Sequence, residues 1–191
     1  MQISDIVPLV RYLINDNLLT TGKDIFTYTT SLVFTLTETG VSSVTALFVN
    51  DVAKTTYSYS STTNKVTYSG SLTAGDTVEI QYSYYPNYSS TEISNYVRAA
   101  LIHLSVNNYY TFTEDVSTYL YPEPTDEEKN LIAAVTAILI DPNNITYRLP
   151  DITISVPNTS LPTEDKIRRL ISAMKKNSSG EFFIVDDSAF L

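Results

Sequence analysis

The hydrophobic pattern of this 191-residue chain changes its period twice, and this change limits the folds available to it. From Asp24 to Tyr85, β-branched and aromatic residues alternate with polar residues, which predicts strands with one buried face. Turn residues such as Asn50-Asp51 and Ala74-Gly75-Asp76 separate the runs. Five or six short strands are therefore expected, a series typical of a small antiparallel sandwich or barrel.

Helical spacing of apolar residues before and after this segment predicts about four helices. The first is expected to have Asp5 as its N-cap and Pro8 in its first turn. The second begins near Thr91 and carries Tyr96 on its apolar face. The last is predicted for residues 163–176.

The third helix has a clear start signal and an unusually apolar body. Thr125 and Glu128 form a capping-box pattern, in which each side chain bonds the backbone N–H of the other. Leu131 lies on the inward face, but Ile132 and Ile140 make the flanks apolar as well. We therefore expect this helix to be covered on more than one side, either by the rest of the chain or by a partner subunit.

These patterns predict an α+β protein in which a helical frame carries an inserted antiparallel β-sandwich or barrel module. The predicted divisions are a helical domain at residues 1–23 and 86–180, a β module at 24–85, and a C-terminal tail at 181–191.

Composition argues against most kinds of chemistry. Cysteine is absent, which excludes disulfides, thiolate nucleophiles and Cys-ligated metal sites. The one histidine, His103, is predicted on the polar side of its helix, with no nucleophile motif nearby in sequence. The acidic run around Asp126 is explained by helix capping rather than by a cation. We therefore predict a non-enzyme without cofactor or metal.

The ends and the charge balance set further expectations. No signal peptide is predicted, and the longest apolar run, Leu131–Ile140, is shorter than the roughly 20 residues needed to span a membrane. The net charge of −9 argues against DNA or anionic lipid as the main binding partner.

Positive charge is concentrated in the fourth helix. Five basic residues occur there without an acidic residue among them, and the rest of the chain holds 7 basic against 21 acidic residues, a net charge of −14. A solvated helix face explains this pattern, and the alternative is contact with the acidic face of an identical subunit. The five candidates are Lys166, Arg168, Arg169, Lys175 and Lys176.

Two further groups of residues are candidate interface positions. The tail after Gly180 contains a run with strand composition, which would be satisfied by pairing with the sheet edge of another chain. Its members are Phe182, Phe183, Ile184 and Val185. Five of the fifteen tyrosines alternate as strand residues should and are expected to serve packing: Tyr57, Tyr59, Tyr82, Tyr84 and Tyr85. Those predicted outside strands are better interface candidates: Tyr109, Tyr110, Tyr119 and Tyr121.

The order of these elements resembles that of the head–tail connector (adaptor or neck) proteins of tailed bacteriophages. Segments at 48–52, 57–59 and 65–68 look like β modules common in phage neck and tail proteins. The clearest part is the Ala74-Gly75-Asp76 turn, which leads into an alternating strand.

The resemblance implies a structural virion protein, assembled in the host cytoplasm and without a membrane partner. Identical subunits, about twelve by this resemblance, would form a ring in the neck that joins the portal protein to the next neck or tail protein. An acidic lumen would let genomic DNA pass without sequence-specific contact. Alternatives are a β-sandwich carbohydrate-binding or adhesion module, a structural protein of the tail or baseplate, and an enzyme of another kind that uses Asp, Glu, Tyr and His103.

Overall fold

The computed structural model describes residues 1–143, 146–148, 153–155 and 161–176. The chain divides into two compact units. The helical unit consists of Met1–Asn17 and Ser90–Leu191, and the β unit is Leu18–Ser89. The insertion thus begins at Leu18 rather than at the predicted Asp24, because its first strand already starts at Thr20.

The β unit contains seven strands in two antiparallel sheets. The strands are β1 (Thr20–Thr27), β2 (Val33–Thr35), β3 (Val41–Val49), β4 (Val52–Lys54), β5 (Tyr57–Ser60), β6 (Lys65–Tyr68) and β7 (Thr77–Tyr84). One sheet has the order β1-β7-β3-β4 and the other β2-β6-β5. The prediction of antiparallel sheets is confirmed. A sandwich or barrel is not confirmed, since neither sheet closes on itself and each keeps two edge strands.

Strand residues of both sheets contribute to one hydrophobic core, as the alternation predicts. Val66, Val78 and Ile80 are completely buried in it. Tyr57 and Tyr59 pack against this core while partly buried, which confirms that these strand tyrosines serve packing. The remaining buried members are Phe34, Leu36, Val41, Leu47, Val49, Tyr68 and Tyr82.

Two predicted turns are bonded to each other. Asn50 and Asp51 have φ values of 48° and 63°, the left-handed geometry of a tight hairpin turn between β3 and β4. The Asn50 side chain donates to Asp76 Oδ1 at 2.8 Å and accepts from the Thr77 N–H at 2.9 Å. The Ala74-Gly75-Asp76 turn therefore anchors the β3–β4 hairpin as well as leading into β7.

The helical unit contains four α-helices among the residues that the structure describes. They are α1 (Val7–Leu13), α2 (Ser90–Val106), α3 (Asp126–Ile140) and α4 (Thr163–Lys176). The unit also contains two short antiparallel pairs. One consists of β8 (Thr113–Glu114) and β9 (Leu120–Tyr121), and the other of β10 (Thr146–Arg148) and β11 (Thr153–Ser155).

Two details of the helix predictions are wrong. Asp5 is not the N-cap of the first helix, because residues Ile3–Asp5 form a separate 3-10 turn before α1. Its carboxylate accepts the Gln2 N–H at 2.8 Å and so caps that turn. Tyr96 is 38% exposed rather than inward, since the buried stripe of α2 follows Ile93, Val97 and Ala100.

The helix α3 lies at the centre of the helical unit. All eight residues from Leu131 to Ile138 are buried, and α3 contacts α1, α2 and α4. Ile132 is completely buried within the single chain, so the rest of the chain, not a partner subunit, covers this flank. The predicted capping box is confirmed: the Thr125 N–H donates to Glu128 at 2.8 Å, and the Glu128 N–H donates to the Thr125 hydroxyl at 3.3 Å.

We predict that Ile132→Ala lowers the free energy of unfolding by about 2–4 kcal/mol, because it leaves a cavity in a site closed on all sides. The matched control is Ile102→Ala on α2, where the side chain is 64% exposed. The control should change stability by less than about 0.5 kcal/mol. Urea unfolding followed by circular dichroism measures both, and equal effects would contradict the burial of Ile132.

Candidate interaction surfaces

Only part of the predicted basic face of α4 is exposed. The side chain of Arg168 is 61% exposed and lies 3.5 Å from Asp165, one turn earlier in the helix. Arg169 is half-buried. Lys175 and Lys176 lie in the last turn of α4. The α4 bounds agree with the predicted helix, so the exposed positive charge is carried on a regular helix.

The prediction of an exposed interface residue is wrong for Lys166. It is 2% exposed, and its amino group donates to the Pro142 carbonyl just after α3. The reason is its position in the helical repeat: Lys166 lies one turn before Leu170 and next to Ile167, both of which are buried. An ammonium close to the C-terminal end of a helix also complements the helix dipole. Lys166 therefore fastens α4 to the end of α3 and is not an interface residue.

The tail residues Phe182, Phe183, Ile184 and Val185 lie outside the described residues. The prediction that they form an interface therefore stays a prediction.

The connection between α2 and α3, residues 107–125, is an exposed surface rich in tyrosine and acidic residues. Tyr119 forms an isolated bridge with Gln2 and lies outside the strands, as predicted. Tyr121 lies in β9, so the prediction that it lies outside strands is wrong. The two side chains are nonetheless 40% and 53% exposed, because they alternate with the buried Leu120. Val116, in the turn between the two strands, is completely exposed.

Tyr109 and Tyr110 lie before the β8–β9 pair and differ in burial. Tyr110 is 44% exposed, with its ring centroid 5.0 Å from that of Phe112. Tyr109 is half-buried. Burial raises the pKa of Tyr109, and the nearby carboxylates of Glu128 and Glu127 raise it further. The Tyr109 side chain therefore lies close to the first turn of α3.

Acidic residues dominate this part of the helical unit. Residues 107–128 contain six acidic side chains and no basic one. Two of them are paired from outside the segment. The amino group of Met1 donates to Glu123 at 3.1 Å, and Arg98 of α2 holds Glu114 through two hydrogen bonds of 2.9 and 2.8 Å. The bonds to Glu114 raise the pKa of Arg98. The Arg98–Glu114 pair joins β8 to α2, a contact that sequence reasoning missed because the two residues lie 16 positions apart and no local pattern links them.

His103, predicted on the polar side of its helix, is half-buried. Its Nδ1 lies 3.8 Å from a carboxylate oxygen of Glu164 in the first turn of α4. In the part of the chain that the structure describes, no group of three or more His, Asp or Glu side chains is placed to hold a metal ion.

Among the described helices, none is both long and apolar enough to cross a membrane. Comparison with protein-family models finds no match to this chain. Comparison with curated proteins finds none either.

We predict that Lys166→Ala lowers the free energy of unfolding by about 1–3 kcal/mol, because it removes a buried charge-assisted hydrogen bond and packed methylene groups. Arg168→Ala in the same helix, which removes the same charge from an exposed position, should change stability by less than about 0.5 kcal/mol. Thermal and urea unfolding of the two variants provide the measurement. A larger loss for Arg168→Ala would contradict the assignment of Lys166 as the packing residue.

Proposed function

We propose that this chain is a structural assembly subunit, and that it acts in the neck of a tailed phage as a ring component between the portal and the tail. The single observation that supports this proposal best is the separation of charge within the helical unit. The connection and first turn of α3 carry six acidic residues and no basic one, whereas residues 167–176 of α4 carry four basic residues and no acidic one.

Two surfaces of opposite charge on one subunit suit head-to-tail association. If the basic end of α4 on one copy meets the acidic connection of the next, each copy uses two different faces. Such a contact gives a ring when the rotation between neighbouring copies closes, and an open filament when it does not; we propose the ring. Exposed aromatic residues at the connection, Tyr110, Tyr119 and Tyr121, supply apolar contact area beside the charges. The net charge of −9 leaves such a ring acidic, which would repel the phosphates of passing DNA.

The β unit enters the proposal as a separate module. We infer that its two sheets stack as a small sandwich, since residues of both contribute to one core. The tyrosines on its strands serve that packing, which leaves fewer of them for a sugar-binding platform. In this proposal no residue of the chain acts as a catalyst, and no cofactor is bound.

Charge reversal on α4 tests the association step. Arg168→Glu combined with Arg169→Glu should weaken self-association at low salt by about tenfold or more, equivalent to about 1.4 kcal/mol. Lys54→Glu combined with Lys65→Glu changes the net charge equally but lies on the β unit, and it should leave association unchanged. Sedimentation velocity over a range of protein and salt concentrations measures both. A chain that stays monomeric at every concentration, or equal losses in the two variants, would contradict the proposal.

Localisation tests the neck assignment. Immunogold labelling of phage particles from the source lysate, with an antibody to the purified protein, should place gold at the junction of head and tail. Gold on fibres, tail tip or baseplate would keep a structural role but overturn the position. Particles without label would overturn the virion proposal and favour the carbohydrate-binding alternative, which glycan-array binding then examines.

A further inference from the structure

The β unit has one long edge strand. β1 is eight residues long and lies at the end of its sheet, with β7 on one side only. The other three edge strands, β2, β4 and β5, have three, three and four residues. Natural sheets usually keep their exposed edges short because unpaired backbone groups attract other strands.

The hydrogen-bond pattern identifies which groups of β1 face outward. Tyr28, just after the strand, donates its N–H to Asp76 at 2.8 Å and accepts the Gly75 N–H at 3.0 Å. Hydrogen bonding alternates along an antiparallel pair, so the even-numbered residues of β1 bond β7. The odd-numbered residues direct both N–H and C=O away from the sheet: Thr21, Lys23, Ile25 and Thr27.

These outward backbone groups have no hydrogen-bond partner among the residues that the structure describes. The nearest side-chain contact on the strand is made by Asp24, which accepts the Thr37 N–H at 2.7 Å and also bonds Tyr82. Burial, together with Asp24, raises the pKa of Tyr82 to about 12. Both contacts belong to an even-numbered residue, so they leave the outward edge open.

Side-chain protection of this edge is slight. Lys23 is the one charged side chain among the four outward residues, and it lies 3.4 Å from Glu79 of the neighbouring strand. Ile25, two residues on, is 59% exposed. An apolar side chain beside a row of unpaired backbone groups is the arrangement that β-strand addition uses.

The C-terminal tail has a composition that suits a strand added at the β1 edge. Phe182-Phe183-Ile184-Val185 would place an apolar pair on each side of an added strand. Glu181 and Asp186-Asp187 flank this run with negative charge that complements Lys23.

We propose that the outward edge of β1 accepts residues 181–187 of a second copy of this chain as an added strand. The inference rests on the proposed function in that copies of the chain associate, and it names the segment and the edge that join them.

Cysteine cross-linking tests the pairing in the full chain, which contains no native cysteine. The I25C variant is mixed in turn with the F182C, F183C, I184C and V185C variants, and disulfide-linked dimers are measured after mild oxidation. Because side chains of a strand alternate between faces, two alternate tail positions should cross-link at least about fivefold more than the other two. The control is V52C on β4, whose side chain is 55% exposed and which should cross-link with none of them.

A backbone variant gives a second readout. Ile25→Pro removes an outward N–H without removing a bond to β7, a position that an edge strand tolerates. It should weaken self-association at least about tenfold in sedimentation velocity, whereas Ile25→Thr, which keeps the N–H, should not. Cross-linking without alternation, or no stronger than with V52C, overturns the inference. If association then persists in Ile25→Pro, the proposed function stands; if no variant or native chain associates, both fail.

Discussion

The burial of α3 on every side is the constraint on which the helical unit depends. A helix with eight consecutive buried residues cannot be satisfied by one neighbour, and α1, α2 and α4 all contact it. The chain must therefore bring α1 back beside α2 although the whole β unit separates them in sequence. A buried ion pair reinforces this closure: Arg11 lies 2.5 Å from Asp16 and also donates to the Ser90 hydroxyl at 3.2 Å. Truncating either charge would leave the other buried, which is costly.

Three exposed surfaces, on α4, on the connection between α2 and α3, and along β1, differ in charge and in chemistry. Because Lys166 holds α4 against the end of α3, the exposed positive charge of α4 begins at Arg168. The connection between α2 and α3, in contrast, carries acidic residues and exposed tyrosine rings. The β unit contributes something different: along β1, a row of backbone groups has no partner among the residues that the structure describes. Electrostatic contacts set the approach and orientation of a partner, whereas strand addition gives a defined register.

Sequence patterns predicted those features that depend on neighbouring residues. The α4 bounds, the Thr125–Glu128 capping box and the turn at Asn50-Asp51 follow from local hydrogen bonding and backbone preference, and each is confirmed. Errors arose where a residue's type and its position disagree. Lys166 has a charged end group but lies in the buried stripe of α4. Asp5 is a different case: it caps a 3-10 turn that precedes α1, and the sequence pattern did not separate this turn from the helix. The spacing of four residues between Lys166 and the apolar Leu170 was the sequence signal that could have predicted the burial of Lys166.

The sequence by itself determined where the chain alternates, where it is helical, and how charge is distributed along it, since these are properties of short segments. Only the tertiary structure decided which strands pair, that Arg98 joins Glu114, and that β1 ends a sheet. It also decided that Ile132 is covered within the chain. Contacts between distant residues depend on the sum of packing, loop closure and desolvation over the whole chain, and no short pattern records that sum.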